Sequence, residues 1–215
     1  MKFKFASLAV FIAVSNLSSA ALIAAWDANN APAVSVNPEP PPWDWHDNAI
    51  VSNMTMHGSV TPTGSASPFV YRGFSASINP DNYIGFSVRP QDGFELRLTD
   101  MVYVQGGGSA DNTYSWGYRI DGGAWTMFTG EIRFSGTTSS LKTFTFTQPI
   151  VTTKEVEFGF FASVPSPKND IVPILAANNR NDVQLNGTVN AIPEPTAALL
   201  GAGGMLAAML RRRRA

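Results

Sequence analysis

Residues 113–126 read TYSWGYRIDGGAWT, a strand followed by a tight turn and the start of a second strand. The first eight residues place an apolar side chain at every second position, which is the pattern of a strand with one buried face. Asp121-Gly122-Gly123 follows, and glycines supply the positive φ that a short hairpin turn requires. The stretch predicts an antiparallel hairpin whose first strand buries Tyr114, Trp116, Tyr118 and Ile120 on one face.

The same alternation recurs on both sides of this hairpin. It covers residues 83–88, 94–98, 142–147, 155–160 and 182–189, and runs rich in Gly, Pro, Asn and Asp separate these segments. Regularly spaced strands with one apolar face predict two sheets packed face to face. We therefore predict an all-β fold, an antiparallel two-sheet β-sandwich of jelly-roll type over residues 21–191, whose first strand at 22–26 pairs with its last at 183–189.

Composition limits the functions open to this chain. Of its 215 residues 14% are charged, and the formal net charge is −1. Residues 21–191 hold nine basic and fifteen acidic residues, an acidic body unlike the basic surfaces that bind nucleic acid. The absence of cysteine excludes disulfides, thiolate metal sites and a cysteine nucleophile.

The N-terminus has the pattern of an export signal. Residues 1–20 begin with Lys2 and Lys4, continue through an apolar run and end in Ser18-Ser19-Ala20. A charged start, a short apolar core and small residues before the cut form a secretory signal peptide, here cleaved after Ala20.

The C-terminus, residues 192–215, has the pattern of an anchor. Pro193-Glu194-Pro195 is followed by the uncharged span 196–210, which predicts a short transmembrane helix. Four arginines close the chain, namely Arg211, Arg212, Arg213 and Arg214. The positive-inside rule keeps them cytoplasmic, so the body is expected outside the membrane.

This combination of a proline-flanked glutamate, a small-residue apolar span and a terminal arginine cluster resembles the PEP-CTERM sorting signal of Gram-negative, exopolysaccharide-producing bacteria. The resemblance implies processing by a membrane-embedded exosortase after transient anchoring in the inner membrane, and release to the cell surface or extracellular matrix. The tripeptide by itself is not specific, because Pro38-Glu39-Pro40 repeats it without an anchor behind it.

The Pro-rich loop, residues 37–47, contains PEPPPWDWHD at 38–47. Consecutive prolines favour extended geometry, and in an extended segment Trp43 and Trp45 share a face. Exposed indoles next to Asp44 are suited to stacking on sugar rings. Alternatively, one of the two indoles folds back to cover an open edge of the sandwich.

Oxygen ligands cluster near both ends of the predicted domain. Asp27 and Asp182, with the Asn-rich run 178–181, are candidates for a structural calcium that joins the first and last strands. The alternative is an Asn-rich turn whose side chains bond to their own backbone. No other cofactor is expected.

No catalytic constellation stands out in the sequence. His46 and His57 belong to no metal-spacing motif, and there is no Gly-x-Ser-x-Gly elbow. We interpret both histidines as exposed or edge residues. Glu155 and Glu157 lie two apart on the polar face of one strand, which we interpret as a solvated face that discourages edge pairing rather than a glycosidase pair.

These observations leave three functional hypotheses. The first is a surface-sorted, non-enzymatic protein with a structural or adhesive role in an exopolysaccharide matrix. The second is a carbohydrate-binding module that uses exposed aromatic residues, for which the candidates are Trp43, Trp45, Trp116 and Trp125. The third and weakest is a secreted hydrolase. Exposed tryptophans favour the second hypothesis, and carboxylates converging in a cleft favour the third.

Overall fold

The computed structural model describes residues 20–27, 39–63, 70–106, 111–134, 140–165 and 182–193. The predicted signal peptide up to residue 19, residues 37–38 of the Pro-rich loop, the Asn-rich run 178–181 and the C-terminal signal from Glu194 onward lie outside the described residues. Within the described ranges every regular element is a β-strand. None of these ranges contains a helix long and apolar enough to cross a bilayer.

The described residues form fourteen strands. In chain order they are β1 Ala21–Trp26, β2 Asp44–Trp45, β3 Ala49–Val51, β4 Thr55–Met56, β5 Thr61–Pro62, β6 Tyr71–Arg72, β7 Tyr83–Pro90, β8 Phe94–Gln105, β9 Thr113–Ile120, β10 Thr126–Met127, β11 Ile132–Arg133, β12 Ser140–Thr152, β13 Val156–Ser163 and β14 Val183–Ala191.

Two antiparallel sheets form the sandwich-like arrangement predicted from the alternation. Sheet A has the order β12-β8-β14-β1-β2, and sheet B has the order β10-β9-β13-β7-β3, with β11 added to β9 and β4 added to β7. β5 and β6 form a separate small pair. The predicted pairing of the first and last strands is confirmed, because β1 pairs with β14 from Ala21 opposite Gly187 to Trp26 opposite Val183.

The core lies between the two sheets and is rich in aromatic residues. Trp26 of sheet A packs against Phe86 of sheet B with ring centroids 4.1 Å apart. The predicted inward faces are largely confirmed by the core residues Ile84, Phe86, Val88, Leu96, Leu98, Tyr114, Trp116, Val156, Phe158 and Phe160. Ile120 is an error in that prediction: it is 37% exposed, because β9 ends there and the chain turns away from the core.

The predicted hairpin turn is also confirmed. Asp121 and Gly122 have φ values of 52° and 70°, and the amide of Gly123 donates to the carbonyl of Ile120 over 3.0 Å. Two consecutive positive φ values define the turn type that matches the twist of a two-stranded ribbon. The turn brings β10 back onto β9, with Thr126 opposite Tyr118.

Candidate functional site

The outer face of sheet B carries a second aromatic cluster, separate from the core. On β7 the inward Ile84, Phe86 and Val88 alternate with the outward Tyr83 and Gly85. Registration across β7, β13 and β9 places residues on that face in cross-strand rows. One row is Tyr83, Phe161 and Ser115; the next is Gly85, Gly159 and Gly117; the third is Ser87, Glu157 and Arg119.

The row of three glycines forms a floor without side chains. A Cβ built on Gly159 would lie 2.7 Å from Cζ of Phe161 and 2.9 Å from Cη2 of Trp125. A Cβ on Gly85 would lie 2.8 Å from the ring of Tyr83. The glycines therefore let aromatic rings lie down on the sheet surface.

Those rings form a compact cluster. Trp125, which follows the hairpin turn, meets Phe161 edge to face at 4.9 Å and Tyr83 at 5.0 Å between centroids. Tyr83 and Phe161 are both buried although they lie on the outer face. Edge-to-face pairs of this kind stabilise a cluster beyond the area that they bury.

A charged network is built on this cluster. Arg119 donates to Oε2 of Glu157 through Nε at 2.6 Å, and its Nη2 forms an ion pair with the same oxygen at 2.6 Å and donates to the Tyr83 hydroxyl at 3.0 Å. Tyr83 in turn donates to the other oxygen of Glu157 at 2.7 Å. Burial and this hydrogen bond raise the pKa of Tyr83 well above its ordinary value, so the hydroxyl remains a donor. The guanidinium carbon of Arg119 lies 4.6 Å from the ring centroid of Trp125, which fixes the cation in place.

His57 joins the same network from the segment after β4. Its ring stacks on Tyr83, with centroids 4.1 Å apart and an interplanar angle of 7°, and its Nε2 lies 2.9 Å from the Thr55 hydroxyl. Partial burial lowers the pKa of His57 below its ordinary value; the Glu157 carboxylate opposes that shift and Arg119 adds to it. The imidazole is therefore neutral at pH 7, and the interpretation of His57 as a merely exposed edge residue was incomplete.

A groove of about 260 Å³ opens beside this network. Its walls include Arg119 of β9, Glu157 of β13 and Glu155 just before β13. The segment that contains β4 adds Ser52, Thr55 and His57. Glu155 is exposed and accepts a hydrogen bond from the Ser87 hydroxyl at 3.2 Å. The groove thus combines hydroxyl groups, an imidazole, the exposed carboxylate of Glu155 and the guanidinium of Arg119, which Glu157 and Trp125 hold in place.

The interpretation of Glu155 and Glu157 as guards of a sheet edge was wrong. Glu157 belongs to β13 and Glu155 directly precedes it, and β13 lies between β9 and β7 in the middle of sheet B. Both oxygens of Glu157 accept hydrogen bonds from Arg119 and Tyr83, so this carboxylate is a fixed part of the network. That arrangement does not resemble the two carboxylates of a glycosidase, which face a substrate across a cleft.

Trp43 and Trp45 lie elsewhere, at the edge of sheet A. β2 pairs with β1, Trp45 opposite Ala24, and the amide of Trp43 donates to the carbonyl of Ala25 at 2.8 Å. Trp45 lies in β2 and Trp43 lies at a bend just before it, so the predicted extended geometry holds for residues 44–45 and not at Trp43. The two indoles are 57% and 49% exposed. Trp26 and Trp116 are buried and Trp125 is half-buried, which removes Trp116 from the candidates for glycan contact.

The two predicted calcium ligands do come together. Asp27 follows β1 and Asp182 precedes β14; both are buried, and the amide of Asp182 donates to the carbonyl of Trp26 at 2.8 Å. Calcium takes six to eight oxygens, and the described residues hold no group of three or more acidic or histidine side chains suited to a metal. The described pair is thus a partial donor set, and calcium binding stays a prediction.

Sequence reasoning missed Arg119, Tyr83 and the role of His57. Their proximity depends on the register of strands distant in sequence, which alternation does not specify. The available signal was a glycine in the middle of each of three aromatic strands, at Gly85, Gly117 and Gly159. A glycine within a strand often marks a place where another group approaches the backbone closely.

Comparison with known proteins gives only distant likenesses. No family model matches the chain, and no curated protein matches it. Three solved domains from Clostridium perfringens are similar in part, each at 15% identity. CpGH89CBM32-6 has a TM-score of 0.34, with 66% of this chain and 96% of that chain covered. The family 32 carbohydrate-binding module of NanJ, solved with galactose, has a TM-score of 0.32, with 65% of this chain and 93% of that chain covered. CpGH89CBM32-5, solved with GalNAc-β-1,3-galactose, has a TM-score of 0.27, with 68% of this chain and 96% of that chain covered. All three TM-scores lie below 0.5, a level at which neither a shared site nor a shared family follows.

Proposed function

We propose that this chain is an exported β-sandwich that binds glycan, with Trp43 and Trp45 as its stacking contacts. The observation that carries the proposal is the exposure of both indoles, 57% and 49%, two residues apart at the edge of sheet A. Tryptophan is highly buried on average, and neighbouring exposed aromatic residues mark contact surfaces. The structural or adhesive role predicted from the sequence needs no such pair.

The backbone around the two indoles is held in place before any ligand arrives. Besides the Trp43 amide, the amide of His46 donates to the carbonyl of Ile23 at 3.0 Å, so hydrogen bonds to β1 flank the pair. A surface ordered in advance loses less conformational entropy when it binds.

The destination proposed for the protein is the cell surface or extracellular matrix. Support comes from the sequence of both ends, the signal peptide at 1–20 and the PEP-CTERM-like signal at 192–215. β14 ends at Ala191, and the exposed Ile192 and Pro193 follow it, which suits a processing handle next to the domain. The exosortase is then a processing partner and an exopolysaccharide the proposed ligand.

We also propose that the sandwich is of jelly-roll type. Support comes from the pairing of β1 with β14 and from the passage of the chain from one sheet to the other between β7 and β8, between β8 and β9, and between β12 and β13.

The test is a polysaccharide pull-down and glycan array on the full chain, with calcium and with chelator. Trp43→Ala/Trp45→Ala is compared with Leu141→Ala/Val151→Ala, a matched pair of exposed apolar residues on β12 at the opposite edge of sheet A. The tryptophan variant should bind at least about tenfold more weakly, since tryptophan anchors dominate binding energies, while the control binds as wild type. Equal binding by both variants would remove the indoles from the site.

A further inference from the structure

The groove on the outer face of sheet B is not used by the Trp43 and Trp45 surface. It is lined by residues in or next to β4, β7, β9 and β13, whereas the two indoles lie at the β2 edge of sheet A. We propose that this groove is a second, independent binding site that takes a single neutral sugar ring. Its ligand class follows from four properties of the groove.

The first property is charge balance. Arg119 is already neutralised by Glu157, and the exposed Glu155 adds a further carboxylate on the same wall. A phosphate, sulfate or uronate entering the groove would lie against these carboxylates, and like charges at short range cost binding energy. An anionic ligand is therefore excluded.

The second property concerns metals. The described residues contain no cluster of three or more histidine and acidic side chains able to hold an ion. Both Glu157 oxygens are already occupied by Arg119 and Tyr83. The carboxylate that would be the best metal ligand of the groove is thus committed to internal hydrogen bonds.

The third property is the kind of hydrogen bond on offer. The hydroxyls of Ser52 and Ser87 already donate, to the Asn53 carbonyl and to Glu155, so they offer acceptor positions, as Glu155 itself does. The Thr55 hydroxyl can donate or accept. Each hydroxyl of a sugar likewise donates and accepts, so a polyhydroxylated ring can satisfy this mixture. The Ser52 hydroxyl already accepts from the Ser87 amide at 2.8 Å, which fixes its position at the wall.

The fourth property is size and rigidity. About 260 Å³ is slightly below the range of about 300–1,000 Å³ typical of sites for drug-sized ligands, which suits one ring rather than an oligosaccharide. The His57 side chain is 36% exposed and stacked on Tyr83, so one wall is a fixed flat ring. The Trp125 ring packs against the Arg119 guanidinium and holds it in place, so little conformational entropy is lost on binding.

The test is a titration of the full chain with glucose, galactose, mannose and N-acetylglucosamine, followed by NMR. Glucuronate serves as the anionic counterpart. The signals observed are the indole N–H of Trp125, assigned with Trp125→Phe, and the imidazole of His57. We expect at least one neutral sugar to shift both signals with a millimolar dissociation constant, and glucuronate to shift neither.

Two variants and two controls locate the ligand. Glu155→Gln and Ser87→Ala change the exposed wall and leave the Arg119–Glu157–Tyr83 network intact, and Glu155→Gln should weaken binding about tenfold because a hydrogen bond to a charged group is lost. Glu131→Gln, an exposed carboxylate outside the groove, should bind as wild type. Trp43→Ala/Trp45→Ala should also bind as wild type, which separates this site from the proposed function.

Three results would overturn the inference. One is the absence of a shift at Trp125 and His57 with every neutral sugar at tens of millimolar. Another is tighter binding of glucuronate than of the neutral sugars. The third is a loss of the shifts in the Trp43→Ala/Trp45→Ala variant, which would mean that only one site exists.

Discussion

At Gly159 one added methyl group would collide with two aromatic rings, because Phe161 and Trp125 occupy the space where its Cβ would be. The outer aromatic cluster therefore depends on a residue that contributes no side chain. The same reasoning applies to Gly85 under Tyr83 and to Gly117 under Met127. Conformational freedom is not the cause here, since none of the three has a positive φ.

Gly159→Ala should destabilise the domain by about 1–3 kcal/mol, the usual cost of overpacking a closely packed site. The measurement is the free energy of unfolding in urea. Gly130→Ala is the matched control, because a Cβ there would meet no atom within 4 Å, and its effect should stay within about 0.5 kcal/mol. Equal effects of the two substitutions would mean that the rings do not lie on the glycine floor.

His57 should make stability dependent on pH. Its pKa in the folded state is lowered by burial, so the unfolded chain binds the proton more readily. Stability therefore rises with pH through this window, and it is lost as pH falls below the ordinary value of about 6.5 towards the lower folded pKa. The groups that face the imidazole are Glu157, Arg119 and the neutral Tyr83.

The check compares unfolding midpoints of wild type and His57→Gln at pH 7 and pH 5. The wild type should lose more stability on acidification than the variant, which cannot charge at this position. His46→Gln, which removes the other histidine, should keep the acid-sensitive behaviour. A pH dependence that is unchanged in His57→Gln would assign it to other groups.

Predictability from the sequence differed between residues. The exposure of Trp43 and Trp45 could be proposed from the local sequence and is found in the structure, but the extended geometry predicted for the segment is interrupted by a bend at Trp43. The contact of Arg119 with Glu157 joins β9 to β13, and the contact of His57 with Tyr83 joins the residue after β4 to β7. Such contacts are set by register, which one sequence by itself does not determine.

Among the secondary-structure elements, the β9–β10 hairpin connects the fold of sheet B with the groove on its outer face. Its turn returns the chain so that Trp125 falls over the glycine floor and against Arg119. The strands most accurately predicted were those with clean alternation, and β9 has the predicted bounds. The short strands β2, β4, β5, β6 and β11 were missed because two residues carry no periodicity.

Gly122→Ala should destabilise the domain by about 1 kcal/mol, because an alanine would have to adopt a φ of 70°. Asp121→Asn is the matched control in the same turn, since asparagine tolerates positive φ well and should cost nothing. Thermal unfolding of both variants measures the difference. A Gly122→Ala protein as stable as wild type would contradict the turn geometry.

At the scale of the whole molecule, the chain combines a sandwich with two proposed address signals. The sandwich was predictable because strand alternation and turn residues agree over the entire body. Which surfaces bind was less predictable, because exposure depends on how the edges of the two sheets are covered. The charge asymmetry, an acidic body with basic ends, suits export followed by arrest at the membrane.

Replacing Pro193-Glu194-Pro195 by three alanines should leave the protein in the membrane of an exosortase-containing host. The reason is that the proposed processing handle is lost while the apolar span and the arginines remain. Fractionation and immunoblotting of cells and medium measure the outcome. Glu39→Ala within Pro38-Glu39-Pro40 is the control and should be released normally; release of the first variant at the wild-type level would show that the C-terminal tripeptide is not the handle.

Acrylamide quenching of tryptophan fluorescence reports whether Trp43 and Trp45 touch the glycan. The measurement uses the polysaccharide retained best in the pull-down, with the full chain and with Trp43→Ala/Trp45→Ala. The two exposed indoles should dominate quenching in the free protein, and polysaccharide should protect them. We predict protection in the wild type and none in the double variant, whose remaining indoles are buried or half-buried. Equal protection in both proteins would contradict the account, because the ligand would then cover a different part of the molecule.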